Sequence, residues 1–208
     1  VERFVFFSCT VMYAVRQRPV REEDFSHAIT DRYYGVGWTK VYIEKMCEFY
    51  SRLGRTKFTA IRHSNIYGPH DKYDLERSHV FGATVAKVMT SKDGRVVVWG
   101  GGTEKRDLLY VDDLVDFTSA ALKKQKTPFE LVNVGSGRAV SVAELVKLII
   151  KRSGRALTIA YDRSKPSIPF KLAVDSRRAR TRFGWRPRVS LEKGIDRSLA
   201  WYKKNVAR

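Results

Sequence analysis

The chain has 208 residues, of which 43% are hydrophobic and 30% charged, and its formal net charge is +18. That suffices for one sizeable core, or one core with a small appended lobe, and is too apolar for a disordered chain. No apolar run approaches the roughly 20 residues that cross a bilayer, no signal-peptide pattern opens the chain, and two cysteines make no disulfide framework. No membrane partner and a reducing, cytoplasmic setting are therefore expected. The positive charge is spread in pairs such as Lys123-Lys124, Arg177-Arg178 and Lys203-Lys204 rather than gathered in one block. Spread charge is the mark of a solvated surface, so nucleic acid is not the expected partner.

In chain order, Arg3-Phe4-Val5-Phe6-Phe7 reads as a buried strand, and Ser8-Cys9-Thr10 at its end would face a crevice. A polar loop, 16–30, follows. From Gly37 to about Leu53, the residues Ile43, Met46, Cys47 and Tyr50 recur at helical spacing as a core stripe, and Gly54 closes the helix. Lys40 falls in its first turn and can reach back toward the strand ends. Phe58-Thr59-Ala60-Ile61 is a second strand. The turn Asn65-Ile66-Tyr67-Gly68-Pro69-His70 then leads toward an apolar helix, Val80 to Met89. The stretch from Arg62 to Val80 carries more polar functional groups than a plain connection needs. Strand ends in an open α/β sheet are where ligands bind, so a ligand is expected there.

Arg95–Trp99 and Arg106–Tyr110 read as extended, with Gly100-Gly101-Gly102 between them as a flexible turn rather than a phosphate loop. Val111-Asp112-Asp113 opens a helix through Leu122, and Leu131–Val134 is a further strand. Ser141 with Glu144 forms a capping box for a helix using Leu145, Leu148 and Ile149. Leu157–Tyr161 is an edge strand, and Pro166 and Pro169 bound an irregular segment. A short helix spans 176–183, and an amphipathic helix runs from Leu191 to about Lys204. Strands alternating with helices predict an α/β fold with a mainly parallel sheet.

The residues in order resemble the extended short-chain dehydrogenase/reductase family (NAD-dependent epimerase/dehydratase), and most of all its GDP-L-fucose synthase-like branch. The resemblance rests on Ser8-Cys9-Thr10 with Tyr13, the run ending in Lys40, Arg62-x-x-Asn65-x-Tyr67-Gly68-Pro69 and Ser78-His79-Val80. It rests equally on Val98-Trp99-Gly100, Arg106-Asp107, Val111-Asp112-Asp113, Gly184-Trp185-x-Pro187, Leu191-x-x-Gly194 and Trp201-Tyr202. It implies the C-terminal part of a Rossmann-like doubly wound parallel sheet with a smaller α/β substrate-binding lobe. Residues 1–70 would belong to the Rossmann-like part, and 71–208 mainly to the lobe, with Leu108–Leu122 and Leu131–Val134 returning to the former.

The resemblance also implies an NAD or NADP cofactor and a nucleotide-sugar substrate, with a homodimer as a further expectation and no metal. Catalytic roles would fall to Lys40, His79, Cys9, Thr10 and Tyr34. Cofactor contacts would come from Ser8, Lys40, His63 and Ser64, and substrate contacts from Asn65, Lys87, Trp99 and Arg106. Three departures stand against this. No strand-Gly-x-x-Gly-x-x-Gly-helix occurs in the 208 residues, so the main cofactor-binding half is expected elsewhere and the chain alone is expected to be inactive. Val36 stands four before Lys40, where the family's acid/base tyrosine belongs, and a bulge bringing Tyr34 inward would be needed. Cys9 takes the position of the strand-end hydroxyl, as a reactive group or as a buried inert thiol. Two readings remain: a nucleotide-sugar epimerase, dehydratase or reductase, and a degenerate relative serving as a binding subunit for an anionic partner.

Overall fold

Three apolar runs rich in aromatic and β-branched residues pair in parallel: β1 (Arg3–Cys9), β2 (Lys57–His63) and β6 (Phe129–Val134), in the order β1-β2-β6. The protein is described by a computed structural model covering residues 1–75, 77–165 and 171–206, so the segment predicted between Pro166 and Pro169 lies outside the described residues. α1 (Tyr34–Ser51) covers one face of the sheet. α3 (Val111–Lys124) and α5 (Arg177–Phe183) cover the other, where Ile61 and Val132 pack with Leu114, Phe117 and Phe183.

A second sheet is built on β5 (Lys105–Tyr110). It pairs in parallel with β3 (Asn65–Tyr67) and β9 (Lys171–Leu172), and antiparallel with β7 (Ala139–Ser141). β4 (Arg95–Trp99) and β8 (Thr158–Asp162) form a separate parallel pair. The core beneath these is shared by α2 (Val80–Thr90), α4 (Val142–Ser153) and α6 (Leu191–Asn205), through Phe81, Val85, Leu145, Ile149, Ile195 and Leu199. Ser141 caps α4 through Glu144 N–H and the reciprocal Glu144 contact, as the capping box predicts. The fold is α/β with parallel sheets, as expected.

Two local expectations differ. α1 begins at Tyr34, three residues before Gly37, so Lys40 lies in its second turn. Its buried stripe is Gly37, Val41, Glu44, Cys47 and Ser51, which leaves Tyr50 exposed and Ile43 and Met46 half-buried. Asn65-Ile66-Tyr67 is not a turn but strand β3, because Leu108, Leu109 and Tyr110 of β5 offer it a parallel partner. The change of direction comes at Gly68, whose φ of +150° glycine tolerates and where a Cβ would meet Val111 Cγ1 at 2.7 Å.

The register places Ser8, Arg62 and Asn133 opposite one another on β1, β2 and β6. A buried polar row runs from this alignment. Ser8 Oγ donates to Glu44 of α1, and Arg62 donates to both Glu44 oxygens, at 2.9 and 2.6 Å, each side chain being 4% exposed. Arg62 also donates to the Tyr13 hydroxyl at 2.9 Å, and Tyr13 to Asn133 Oδ1 at 2.8 Å. Asn133 N–H then donates to Glu22 Oε1 at 2.7 Å, tying in the polar loop. Burial pushes the Tyr13 phenol up to about 12, so it stays a neutral donor. Arg62→Met would strand the Glu44 carboxylate in the core and is expected to cost about 3–5 kcal/mol in urea unfolding, with Arg62→Met/Glu44→Leu costing less. A loss below about 1 kcal/mol for the single variant would show that water reaches the row.

Candidate functional site

The C-terminal ends of the parallel strands bring the N-terminal cluster together. Cys9 lies opposite His63 in the register, and Lys40 reaches back from α1, its Nζ donating to the Phe7 carbonyl at 2.7 Å and standing 4.9 Å from the Phe6 ring centre. His63 is half-buried, with Nδ1 2.8 Å from the Ser64 carbonyl, which puts the ring hydrogen on Nδ1 and leaves Nε2 as an acceptor. Burial lowers the His63 pKa, and the nearby charges of Lys40 and His79 push it the same way. His79 is exposed at the N-terminal end of α2. Ser64 Oγ is buried with no hydrogen-bond partner among the described residues.

Not every expected residue faces this crevice. Ser8 is wholly buried, its hydroxyl committed to Glu44, so it does not open onto the strand ends. Thr10 is buried. Cys9 packs with Met12, Ile29 and Val41, and burial raises its thiol pKa, which favours the unreactive protonated form. Tyr34 does not turn inward. No bulge interrupts the start of α1, and the ring lies 59% exposed against the edge of Trp38. Its neighbour Tyr33 is the inward one, packed on the Met12 cluster and close enough to Arg106 to favour the charged guanidinium.

Lys87, Trp99 and Arg106 line one cavity of about 290 Å³, with Ser78 and Val80 on its wall either side of His79 in the chain. α2 supplies Lys87, β4 ends at Trp99, and β5 carries Arg106. Lys87 Nζ stands 5.1 Å from the Trp99 ring centre and donates to the Val97 carbonyl at 2.9 Å. Burial lowers the pKa of Lys87, and likewise that of Arg106, which is pushed back up by Tyr33 and Glu104. Two cations on one cavity wall are suited to holding an anion. Asn65 donates to the Asp107 carbonyl at 3.1 Å, bracing β3 against β5 just behind Arg106.

Several residues that build the site were given no role in the sequence reading. Asp107 is a buried clamp accepting from Ser136 N–H and Oγ, Gly137 N–H and Val174 N–H, and Asp113 accepts from Arg188 and Val189 N–H. The signal for Glu44 was available: a carboxylate on an otherwise apolar helix stripe asks for a buried cation. A larger hollow of about 420 Å³ beside Gly135–Gly137 is lined by Arg18, Arg21, Arg177, Arg180 and Arg186. Three of these are already paired, with Asp24, Asp175 or both Glu23 and Asp175, so much of the positive charge in the hollow is already neutralised.

Parallel strands ending beside a polar crevice, with a cation-lined cavity near them, are the arrangement of a Rossmann-like α/β fold. The family described as NAD dependent epimerase/dehydratase matches residues 1–135, and the chain belongs to it. It is 34% identical to a GDP-L-fucose synthase of Sinorhizobium fredii over its whole length and 67% of that protein. It is 35% identical to a putative GDP-L-fucose synthase of Arabidopsis thaliana over 85% of the chain and 54% of that protein. Among solved structures, it resembles UDP-glucose 4-epimerase from Thermotoga maritima with UDP-glucose (TM-score 0.86, 28% identity, 99% of this chain, 65% of that one). It also resembles UDP-glucuronic acid 4-epimerase from Bacillus cereus with UDP-glucuronic acid and NAD (TM-score 0.81, 26% identity, 97% of this chain, 62% of that one). The chain thus spans between about half and two thirds of its curated relatives. No described helix is long and apolar enough to cross a membrane.

The geometry predicts that His63 titrates below the ordinary 6.5. With its folded-state pKa lowered, the unfolded chain binds more protons as pH falls through 6.5, so stability is lost in that direction. Proton-carbon NMR titration checks the pKa, and His63→Gln is expected to lose less melting temperature than the parent between about pH 7.5 and 5.5.

Proposed function

We propose that the chain carries the substrate-side portion of an NAD(P)-dependent epimerase or reductase acting on a nucleoside-diphosphate sugar. One observation carries it: Lys87, Trp99 and Arg106, from three separate elements, converge on a single cavity whose wall includes both neighbours of His79. The relatives named GDP-L-fucose synthase and the structures holding UDP-sugars support the same substrate class. In this reading Arg106 and Lys87 hold the diphosphate, and Trp99 packs on the nucleoside. His79 then moves a proton at a sugar carbon next to a carbonyl.

The chain's own residues fit one end of a nicotinamide cofactor. Lys40 presents its ammonium at the end of β1, and Ser64 Oγ lies buried and unpartnered among the described residues at the end of β2. The cofactor would supply hydride transfer at the sugar ring. Lys40 would orient its ribose, and His63 Nε2 would accept a hydrogen bond at the strand end. The second reading, a relative that binds nucleotide sugars without turnover, is favoured by Val36 and by the outward Tyr34.

Titration of the purified protein with a nucleoside-diphosphate sugar is expected to show binding that falls about 10- to 100-fold in Arg106→Ala, and less in Lys87→Ala. Unchanged affinity in Arg106→Ala would remove the diphosphate from this cavity. NADPH oxidation with a 4-keto nucleotide sugar that is lost in His79→Ala would overturn the expectation that the chain alone is inactive and support the enzyme reading directly.

A further inference from the structure

We propose that Arg32 is a substrate-binding residue and that it holds the sugar-side phosphate of the diphosphate, an inference that rests on the nucleotide-sugar reading above. Arg32 lies in the short 3-10 turn Asp31–Tyr33, just before α1, and lines the same cavity as Lys87 and Arg106. It is exposed, so it stands at the rim, and it enters no ion pair or side-chain hydrogen bond with a described residue. Lys87, in contrast, already spends one donor on the Val97 carbonyl.

Three cations from three elements thus meet at one cavity, and their neighbours give them an order. Lys87 stands against the Trp99 ring, the end assigned to the nucleoside. Tyr33, the residue after Arg32, packs on the cluster of Met12, Ile29 and Val41 on which Cys9 also packs, so the turn carrying Arg32 rests beside the strand ends. Arg106 shares the cavity with Trp99 and lies close to Tyr33, which puts it between the two. A diphosphate joined to a nucleoside and a sugar carries one negative charge on each phosphate. Glu104, 7% exposed and close enough to Arg106 to favour the charged guanidinium, offsets one of the cations. Lys87 and Arg106 alone would therefore leave one phosphate charge unmatched. Arg32 supplies the missing charge at the sugar end, and its planar fork can donate to two oxygens of one phosphate.

The test is a calorimetric comparison of GDP, GMP, UDP and UMP on the purified protein, repeated with Arg32→Ala and Arg32→Gln. A free diphosphate sets its second phosphate where the sugar-side one would lie, and a monophosphate leaves that place empty. The parent is expected to bind each diphosphate about tenfold tighter than its monophosphate. Both variants should lose about tenfold for GDP and UDP while GMP and UMP stay within about twofold, which also shows that the cavity still forms. Arg32→Gln keeps much of the side chain's length without its charge, so a loss in Arg32→Ala that Arg32→Gln restores overturns the assignment. Equal binding of diphosphates and monophosphates by the parent, unchanged diphosphate affinity in the variants, or an equal loss of both ligand types also overturns it, while leaving the nucleotide-sugar reading in place. If none of the four nucleotides binds the parent, that reading falls and this inference with it.

Discussion

The Arg62–Glu44 ion pair is the constraint on which the rest depends. It joins the middle strand of the parallel sheet to α1, with both side chains almost wholly removed from water. Such a pair adds little net stability over an apolar pair of the same size, but losing either partner is costly. Its value is geometric. Because Ser8, Arg62 and Asn133 share one register row, the pair and its neighbours Tyr13 and Glu22 lock the ends of three strands in step. One residue further along lie Cys9 and His63, and α1 carries Lys40 to the same edge. The crevice is held in place by charge buried beneath it.

A second set of buried carboxylates does the same for the cavity side. Asp107 gathers the 135–137 loop and Val174 onto β5, and Asp113 holds the chain after Trp185. The sequence pairs Arg106-Asp107 and Asp112-Asp113 therefore divide their labour. One member of each is buried in hydrogen bonds to backbone, while Arg106 is turned toward the cavity and Asp112 pairs at the surface with Arg197.

Much of the fold was legible because it follows from period and punctuation. β4 is bounded as predicted, the α4 capping box is present, and α2 and α6 begin where the apolar pattern begins. Asn65–Tyr67 was misread because Gly68 and Pro69 mark a turn strongly, whereas the pairing of β3 with β5 is a contact 43 residues away that no local signal announces. The helix stripe was one position off because Glu44 and Ser51, both polar, are inside. At the candidate site, Lys87, Trp99 and Arg106 line one cavity although they come from three separate elements. Ser8 was misplaced because the strand end looked like a crevice edge, whereas its hydroxyl is taken by Glu44. Tyr34 was misplaced because Tyr33 takes the place on the Met12–Ile29–Val41 cluster and leaves Tyr34 on the outer side of Trp38.

The central claim is that one ligand spans the cavity at Arg106, His79 at the start of α2, and the strand ends that Lys40 reaches. Amide and side-chain chemical-shift mapping with a nucleoside-diphosphate sugar tests it most directly. The expected result is a continuous set of shifts at Lys87, the Trp99 indole, Arg106, His79 and His63. Shifts confined instead to the arginine-lined hollow beside Gly135–Gly137 would contradict it.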